Sequence, residues 1–132
     1  MYIPRFAETL IRKHAEFYPA VVCTGARQVG KTTLLRKAFP DYTYVSLDLP
    51  TRAAMTEETP AAFLREYPPP VLIDEIQYAP ALFRHLKVAI DADRHRMGRF
   101  ILTGSQKFSL MQGLSDSLAG RVAIVELEGL SW

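Results

Sequence analysis

The stretch that decides the fold is Gly25-Ala26-Arg27-Gln28-Val29-Gly30-Lys31-Thr32, which matches the pattern G-x-x-x-x-G-K-[ST] in full. Before it stands Ala20-Val21-Val22-Cys23-Thr24, a run of small and β-branched residues that predicts a strand buried on both faces. After it, residues 32–39 carry apolar side chains at helical spacing, and Pro40 ends the predicted helix. A strand, a glycine-bearing loop and a helix in this order predict a nest of backbone N–H groups that binds phosphate.

The polar residues of this loop have separate expected roles in holding ATP and magnesium. Lys31 brings a mobile positive charge to the outer phosphates, and the Thr32 hydroxyl takes one position in the coordination shell of Mg²⁺. Thr33 adds a hydroxyl toward the inner phosphate, whereas Arg27 is expected to face solvent. The predicted nucleotide-binding residues are Gly25, Ala26, Arg27, Gln28, Val29, Gly30, Lys31, Thr32 and Thr33. The alternative, a surface turn with a chance lysine, is disfavoured by the strand and helix on either side.

A pair of carboxylates follows a second apolar run. Val71-Leu72-Ile73 predicts a buried strand, and Asp74 and Glu75 come directly after it. An unpaired charge in such a place is costly to desolvate, so a cation is expected beside it. Asp74 is therefore predicted to hold magnesium, and Glu75 to polarise a water that attacks the γ-phosphate. A solvated acidic pair at a strand end is the alternative.

Two further positions are candidates for contact with the phosphates. After Phe100-Ile101-Leu102, strand alternation places Thr103 and Ser105 on one side, and we expect Ser105 first and Thr103 second to sense the γ-phosphate. Either could instead cap the following helix. Arg121 opens the last predicted strand and is a candidate catalytic residue, acting in cis or from a neighbouring subunit, although arginine at a strand start is also common on surfaces.

The rest of the chain alternates strands with helices. Further strands are predicted over residues 42–47, 99–104 and 121–127, and further helices over 4–17, 60–67, 81–94 and, weakly, 108–118. The first helix is expected to bury a stripe of Phe6, Leu10, Ile11, His14 and Phe17, and Thr59 is expected to cap the helix that starts at Pro60. This order predicts one α/β domain over residues 1–132, with a mainly parallel sheet covered by helices.

Composition and residue spacing argue against a disulfide-bonded, a histidine-metal, a membrane-spanning or a secreted protein. The chain has 132 residues, a formal charge of +2 and one cysteine, Cys23, which is expected to be a buried strand residue. His14, His85 and His95 lack the spacing of metal ligands. No apolar run is long enough to cross a bilayer and no secretory leader is recognisable, so a cytoplasmic protein without membrane contact is expected.

Four motifs together resemble one group of bacterial and archaeal ATP-binding proteins of the AAA superfamily. They are Gly25 to Thr33, Leu72-Ile-Asp-Glu-Ile-Gln77, Ile101-Leu-Thr-Gly-Ser-Gln106 and Leu118-Ala-Gly-Arg121. The resemblance implies a three-layer α/β/α P-loop NTPase fold with five strands in the order 5-1-4-3-2. Proteins of this group continue into a winged-helix region and a C-terminal domain, so the chain resembles an N-terminal ATPase core, with apolar surface expected at Leu127, Leu130 and Trp132.

The sequence leaves three functions open. The first is magnesium-dependent ATP hydrolysis, in which Glu75, Lys31, Ser105 and Arg121 are the candidate catalytic residues and Thr32 and Asp74 the metal ligands. The second is a nucleotide switch that hydrolyses little ATP alone and signals to a partner, a second copy or a missing domain. The third is a DNA-linked ATPase, for which the only support is the basic set Arg94, Arg96 and Arg99.

Overall fold

The computed structural model of the protein describes residues 5–25, 30–105 and 107–127, with the backbone alone for residues 5, 6, 107 and 108. Five strands form one sheet within this part of the chain. They are β1 (Ala20–Thr24), β2 (Thr43–Ser46), β3 (Val71–Asp74), β4 (Phe100–Gly104) and β5 (Val122–Glu126). All neighbouring strands are parallel and their order is β2-β3-β4-β1-β5, which confirms the predicted order.

Helices cover both faces of the sheet. They are α1 (Arg5–Phe17), α2 (Lys31–Ala38), α3 (Pro50–Glu58), α4 (Pro60–Glu66), α5 (Ala81–Ala92) and α6 (Lys107–Ser117). Alternate residues of β1 enter opposite cores: Val22 packs with residues of α4, α5 and α6, whereas Val21 and Cys23 pack with α1 and α2. Since a parallel sheet needs cover on both faces, the three-layer arrangement follows from the buried strands.

The buried face of α1 differs from the predicted stripe. Ala7, Ile11 and Ala15 face the sheet, whereas Leu10 is 41% exposed and Phe17 is 66% exposed. Small side chains at a spacing of four allow the helix to lie close to β1, so the larger residues turn outward. The prediction was right for Ile11 and wrong for Leu10 and Phe17, because it gave weight to size and neglected the alanines, while the side chain of Phe6 lies outside the described part.

Two predictions between β2 and β3 also need correction. The helix α3 was missed, because its only buried residues are Ala53 and Thr56 and its apolar periodicity is weak. Thr59 lies at the predicted cap of α4 but makes no capping bond. Its hydroxyl donates instead to the carbonyl of Met55, 2.9 Å away, because the same residue ends α3.

The position of Leu127, directly after β5, corrects one prediction of an exposed residue. Leu127 was predicted to contribute apolar surface, yet it is fully buried and packs in the core beneath α1 and α2. Its N–H donates to the carbonyl of Thr24 at 2.9 Å, which extends the pairing of β5 with β1. Leu130 and Trp132 lie outside the described residues. None of the described helices is both long enough and apolar enough to cross a membrane.

Candidate functional site

The candidate site lies at the carboxyl edge of the sheet, where β1, β3 and β4 end side by side. β1 leads into Gly25, whose N–H donates to the carbonyl of Gly104 at the end of β4, 3.3 Å away. The phosphate loop therefore starts directly beside the end of β4. Residues 26–29 of the loop, with Ala26, Arg27, Gln28 and Val29, lie outside the described residues. In open parallel sheets ligands bind at this edge.

The loop ends where α2 begins. Gly30 has φ 78° and ψ 22°, a left-handed conformation that glycine adopts without a steric penalty, and Lys31 is the first residue of α2. Lys31 is only 2% exposed, so its long side chain is enclosed at the head of the helix. The free N–H groups and the helix dipole at this end favour an anion. Thr33 lies exposed on the same first turn.

Hydroxyl groups surround the carboxylate of Asp74. Four hydroxyl groups, from three different elements, donate to its carboxylate. Oδ1 accepts from Thr32 Oγ1 at 3.1 Å and from Thr103 Oγ1, while Oδ2 accepts from Tyr44 at 3.1 Å and from Ser46 Oγ at 3.4 Å. The residue is 7% exposed, and hydrogen bonds to a buried carboxylate offset the cost of removing it from water.

Glu75 follows with an unusual backbone. It is 3% exposed and has φ 56° and ψ 51°, a conformation that costs a non-glycine residue of the order of 1–3 kcal/mol. The surrounding hydrogen bonds offset this cost. Its N–H donates to Thr103 Oγ1 at 3.0 Å, and its Oε1 accepts from Ser105 N at 2.8 Å and from Gln77 Nε2 at 3.1 Å.

Ser105 contacts the same carboxylate through its side chain. The Oγ atom of Ser105 lies 3.0 Å from both Oε1 and Oε2 of Glu75. Thr103 is fully buried and joins the two acids, since its hydroxyl donates to Asp74 and accepts from the N–H of Glu75. The end of β4 and the acidic pair at the end of β3 therefore form one hydrogen-bonded unit, and both predicted sensor positions belong to it.

Arg121 does not join this unit. It precedes β5, so it lies at the amino edge of the sheet, and a five-residue strand places the two edges roughly 16 Å apart. Its guanidinium binds Asp91 of α5 through two bonds, Nε to Oδ1 at 2.8 Å and Nη2 to Oδ2 at 3.0 Å. The side chain is too short to reach the loop from there, so the structure disagrees with a role in cis.

The other basic candidates lie far from the loop. Arg99 is 5% exposed and donates to the backbone carbonyls of four residues around the end of α5, namely Ala89, Ile90, Asp93 and Arg96. It therefore stabilises the helix end and is removed from the predicted basic set, which leaves Arg94 and Arg96 exposed. Within the described ranges, no cluster of three or more His, Cys, Asp or Glu could hold a metal.

Three residues of the site were not predicted as functional. Tyr44 and Ser46 come from β2 and bind Asp74, and Gln77 binds Glu75. The pattern of β2 could have indicated the first two, because residues two apart on a strand share a face and Ser46 stands at the carboxyl end. Gln77 gave only the weaker signal of a polar residue shortly after an acidic pair.

The pair Thr32 and Asp74 fits a magnesium ion. A hydroxyl and a carboxylate oxygen 3.1 Å apart are hard ligands of the kind that Mg²⁺ prefers, and they lie at the head of α2 where the loop would hold phosphates. Thr32 at the start of α2 and Asp74 at the end of β3 come from separate elements, and the sheet order brings them together. The arrangement can therefore hold a metal between the loop and the acidic strand.

A parallel sheet in this order, with a glycine-bearing loop after β1 and an acidic pair after β3, defines a P-loop NTPase domain. The sequence pattern of the family described as "AAA domain" matches residues 18–132. The chain belongs to this family. It is also similar to the Walker-type ATPase PABY2304 of Pyrococcus abyssi, with a TM-score of 0.65 and 18% identity over 98% of this chain and 55% of that one. At this identity the likeness shows the fold.

Two curated relatives are more similar in sequence. The uncharacterized proteins Mb2031c of Mycobacterium bovis and Rv2008c of Mycobacterium tuberculosis are each 39% identical over 131 residues. The match covers 96% of this chain but 29% of either relative. The chain thus spans less than a third of the length of these relatives, and their names assign no activity.

Proposed function

We propose that this domain binds ATP with magnesium and hydrolyses the bond between the β- and γ-phosphates. The observation that carries the proposal is the unit of Asp74, Glu75, Thr103 and Ser105, which lies beside the start of the phosphate loop. A phosphate site alone would serve binding only. A buried glutamate next to the metal-binding aspartate adds a base, which hydrolysis by water requires.

Each group has a proposed role in the reaction. Backbone N–H groups of the loop and the charge of Lys31 bind the phosphates, and Thr32 and Asp74 hold the metal. Magnesium supplies positive charge that stabilises the phosphate oxygens in the transition state. Glu75 orients a water and accepts its proton, and Ser105 contacts the γ-phosphate.

Substitution of the proposed base tests this function. We expect Glu75→Gln to keep ATP binding, because the amide is nearly the same size, and to lower hydrolysis by about 100-fold or more, because it cannot accept the proton. Phosphate release in the presence of magnesium and ATP affinity should be measured on the same samples. Binding of ATP together with unchanged hydrolysis in Glu75→Gln would disprove the role of Glu75.

A nucleotide switch is the second candidate, and one observation favours it. The carboxylate of Glu75 accepts hydrogen bonds from Ser105 and Gln77, which hold it in one orientation. A domain in which a partner must turn this carboxylate toward the attacking water would bind nucleotide and turn over slowly alone. Single-turnover hydrolysis separates the two candidates, since appreciable phosphate release from the isolated chain would exclude a pure switch.

The wider setting of the domain is also proposed. We infer that residues 1–132 form one ATPase domain that works in the cytoplasm, together with a further domain or a second copy. The length of the relatives supports the further domain, because most of each relative lies outside the matched part. The DNA-linked alternative is weakened by the buried position of Arg99. A salt-dependent affinity for DNA would restore it.

A further inference from the structure

Tyr44 links the edge strand β2 to the proposed metal site. The strand pairs with β3 in a register that sets Tyr44 beside Leu72 and Ser46 beside Asp74. The Tyr44 side chain therefore runs along the sheet toward the carboxyl edge, and its hydroxyl donates to Asp74 Oδ2 at 3.1 Å. The ring is half-buried.

The two oxygens of Asp74 have different neighbours. Oδ1 faces Thr32 of α2 and Thr103 of β4, on the side of the phosphate loop. Oδ2 faces Tyr44 and Ser46 of β2, on the side away from the loop. Since donors occupy both sides, rotation of the carboxylate would break bonds on both oxygens. The bonds to Oδ2 thus fix the direction of Oδ1.

Arg36 adds a second connection between α2 and Asp74. Its guanidinium carbon lies 4.5 Å from the centre of the Tyr44 ring, a distance typical of a cation–π contact. Arg36 follows Thr32 by one helical turn, so both side chains lie on the same face of α2. The helix that starts at the phosphate loop therefore contacts Asp74 directly through Thr32 and indirectly through the ring of Tyr44.

We propose that Tyr44 is a positioning residue for magnesium, which holds Oδ2 of Asp74 so that Oδ1 stays turned toward Thr32 and the metal. The inference rests on the proposed function. It adds a residue outside the phosphate loop and the acidic pair, on a strand that neither motif includes. Residues that hold metal ligands typically affect metal affinity by about 10–100-fold when they are changed.

The hydroxyl of Tyr44 is suited to this role because it donates to the carboxylate and adds no charge of its own. It therefore leaves the net charge presented to the metal unchanged and restricts only the orientation of Asp74.

The chain offers a matched control for the test. Tyr42 lies two residues before Tyr44 and so on the same face, but its hydroxyl donates to the carbonyl of Gly98 at the opposite edge of the sheet. Tyr42→Phe and Tyr44→Phe each remove one hydroxyl from a half-buried tyrosine in the same segment. They differ in whether the lost bond ends on Asp74.

The measurement is the affinity of the full chain for ADP, by calorimetry, with saturating magnesium and with a chelator. The dissociation constant in chelator divided by the dissociation constant in magnesium reports metal binding. This ratio requires no turnover. We expect this ratio to fall roughly tenfold in Tyr44→Phe, because one donor to Oδ2 remains in Ser46. We expect the affinity in chelator to stay within about twofold, since the phosphate loop is unchanged. Tyr42→Phe should keep the wild-type ratio.

The outcomes separate this inference from the function on which it rests. A wild-type ratio near one would overturn the proposed magnesium site itself. A clear wild-type effect that Tyr44→Phe leaves unchanged would overturn the role of Tyr44 alone. Should Tyr44→Phe not fold, Ser46→Ala takes its place, with a smaller fall of the ratio expected because its bond is longer at 3.4 Å. An unchanged ratio in that variant counts against the inference.

Discussion

The thiol of Cys23 lies fully buried in β1, one residue before the strand ends. Burial raises the pKa of Cys23 from 9.0 to about 12, and the nearby charge of Lys31 only partly opposes this. The thiol of the unfolded chain loses its proton first as the pH rises. The contribution of Cys23 to folding is therefore complete below pH 9 and is lost progressively between 9 and about 12.

This shift predicts a pH dependence of stability. Above pH 9 the folding equilibrium constant should fall by up to about tenfold per pH unit through Cys23. Urea unfolding of wild type and Cys23→Ala, just below pH 9 and again midway to 12, measures the effect. Tyrosines and lysines titrate in both proteins, so the difference between the two isolates the thiol. Equal losses in wild type and variant would contradict a buried thiol.

At the scale of single residues, the sequence predicted the groups whose chemistry is tied to a motif. Thr32 and Asp74 do meet, and Glu75 does contact Ser105. Tyr44 was not foreseen, because the predicted strand order places β2 beside β3 but does not give the register that lets the Tyr44 hydroxyl reach Asp74. Arg121 does lie at the start of the last strand as expected, but its partner Asp91 was not foreseen, since the bond joins elements that are distant in the sequence.

Among the helices, α6 contains a glycine whose missing side chain is required. A Cβ atom at Gly113 would lie 2.4 Å from the ring of Phe83, which is 1% exposed in α5. We expect Gly113→Ala to destabilise the domain by about 1 kcal/mol. The overpacking costs typically 1–3 kcal/mol, and alanine recovers about 1 kcal/mol of helix propensity.

The control for this prediction is a substitution on the outer face of α6. Ser115 is exposed, so Ser115→Ala should leave the free energy of unfolding unchanged within about 0.5 kcal/mol. Both variants can be compared with wild type by urea unfolding at neutral pH. A Gly113→Ala protein more stable than wild type would show that Phe83 moves aside at little cost.

Elements differ in how far their sequence determines them. β1 and β3 are apolar runs that each end in one polar residue, and their predicted positions match the structure because every residue in them is buried. α1 was predicted as a helix, but the face it buries depends on how closely it approaches the sheet. α3 was missed because it buries only two residues. Its other residues are exposed, so they give the sequence little apolar periodicity.

The position of Arg121 in the whole sheet determines whether its side chain can take part in hydrolysis. Its bond to Asp91 ties β5 to α5 at the amino edge, on the side opposite the loop. We expect Arg121→Gln to change hydrolysis per chain by less than about twofold while the protein is monomeric, because the side chain does not reach the phosphates. Hydrolysis rates and molar mass by light scattering should be measured together over a range of concentrations.

A role of Arg121 in a neighbouring subunit stays a prediction. It requires that the effect of Arg121→Gln appear only as the chain assembles with nucleotide, since the arginine must exchange Asp91 for a phosphate of another copy. A tenfold loss already in the monomer would contradict the placement at the amino edge. A chain that stays monomeric with and without nucleotide would remove the role in trans.

The position of β1 in the sheet has a consequence for how the domain is made. β1 is the second element of the chain, yet Ala20 pairs with Phe100 on one side and with Val122 on the other. During synthesis the strand must therefore wait without partners until β4 and β5 have left the ribosome. Pairing between such distant segments is slow, because the intervening chain must first be ordered. β1, the strand that leads into the phosphate loop, is thus synthesised first among the strands and gains its partners among the last steps of folding.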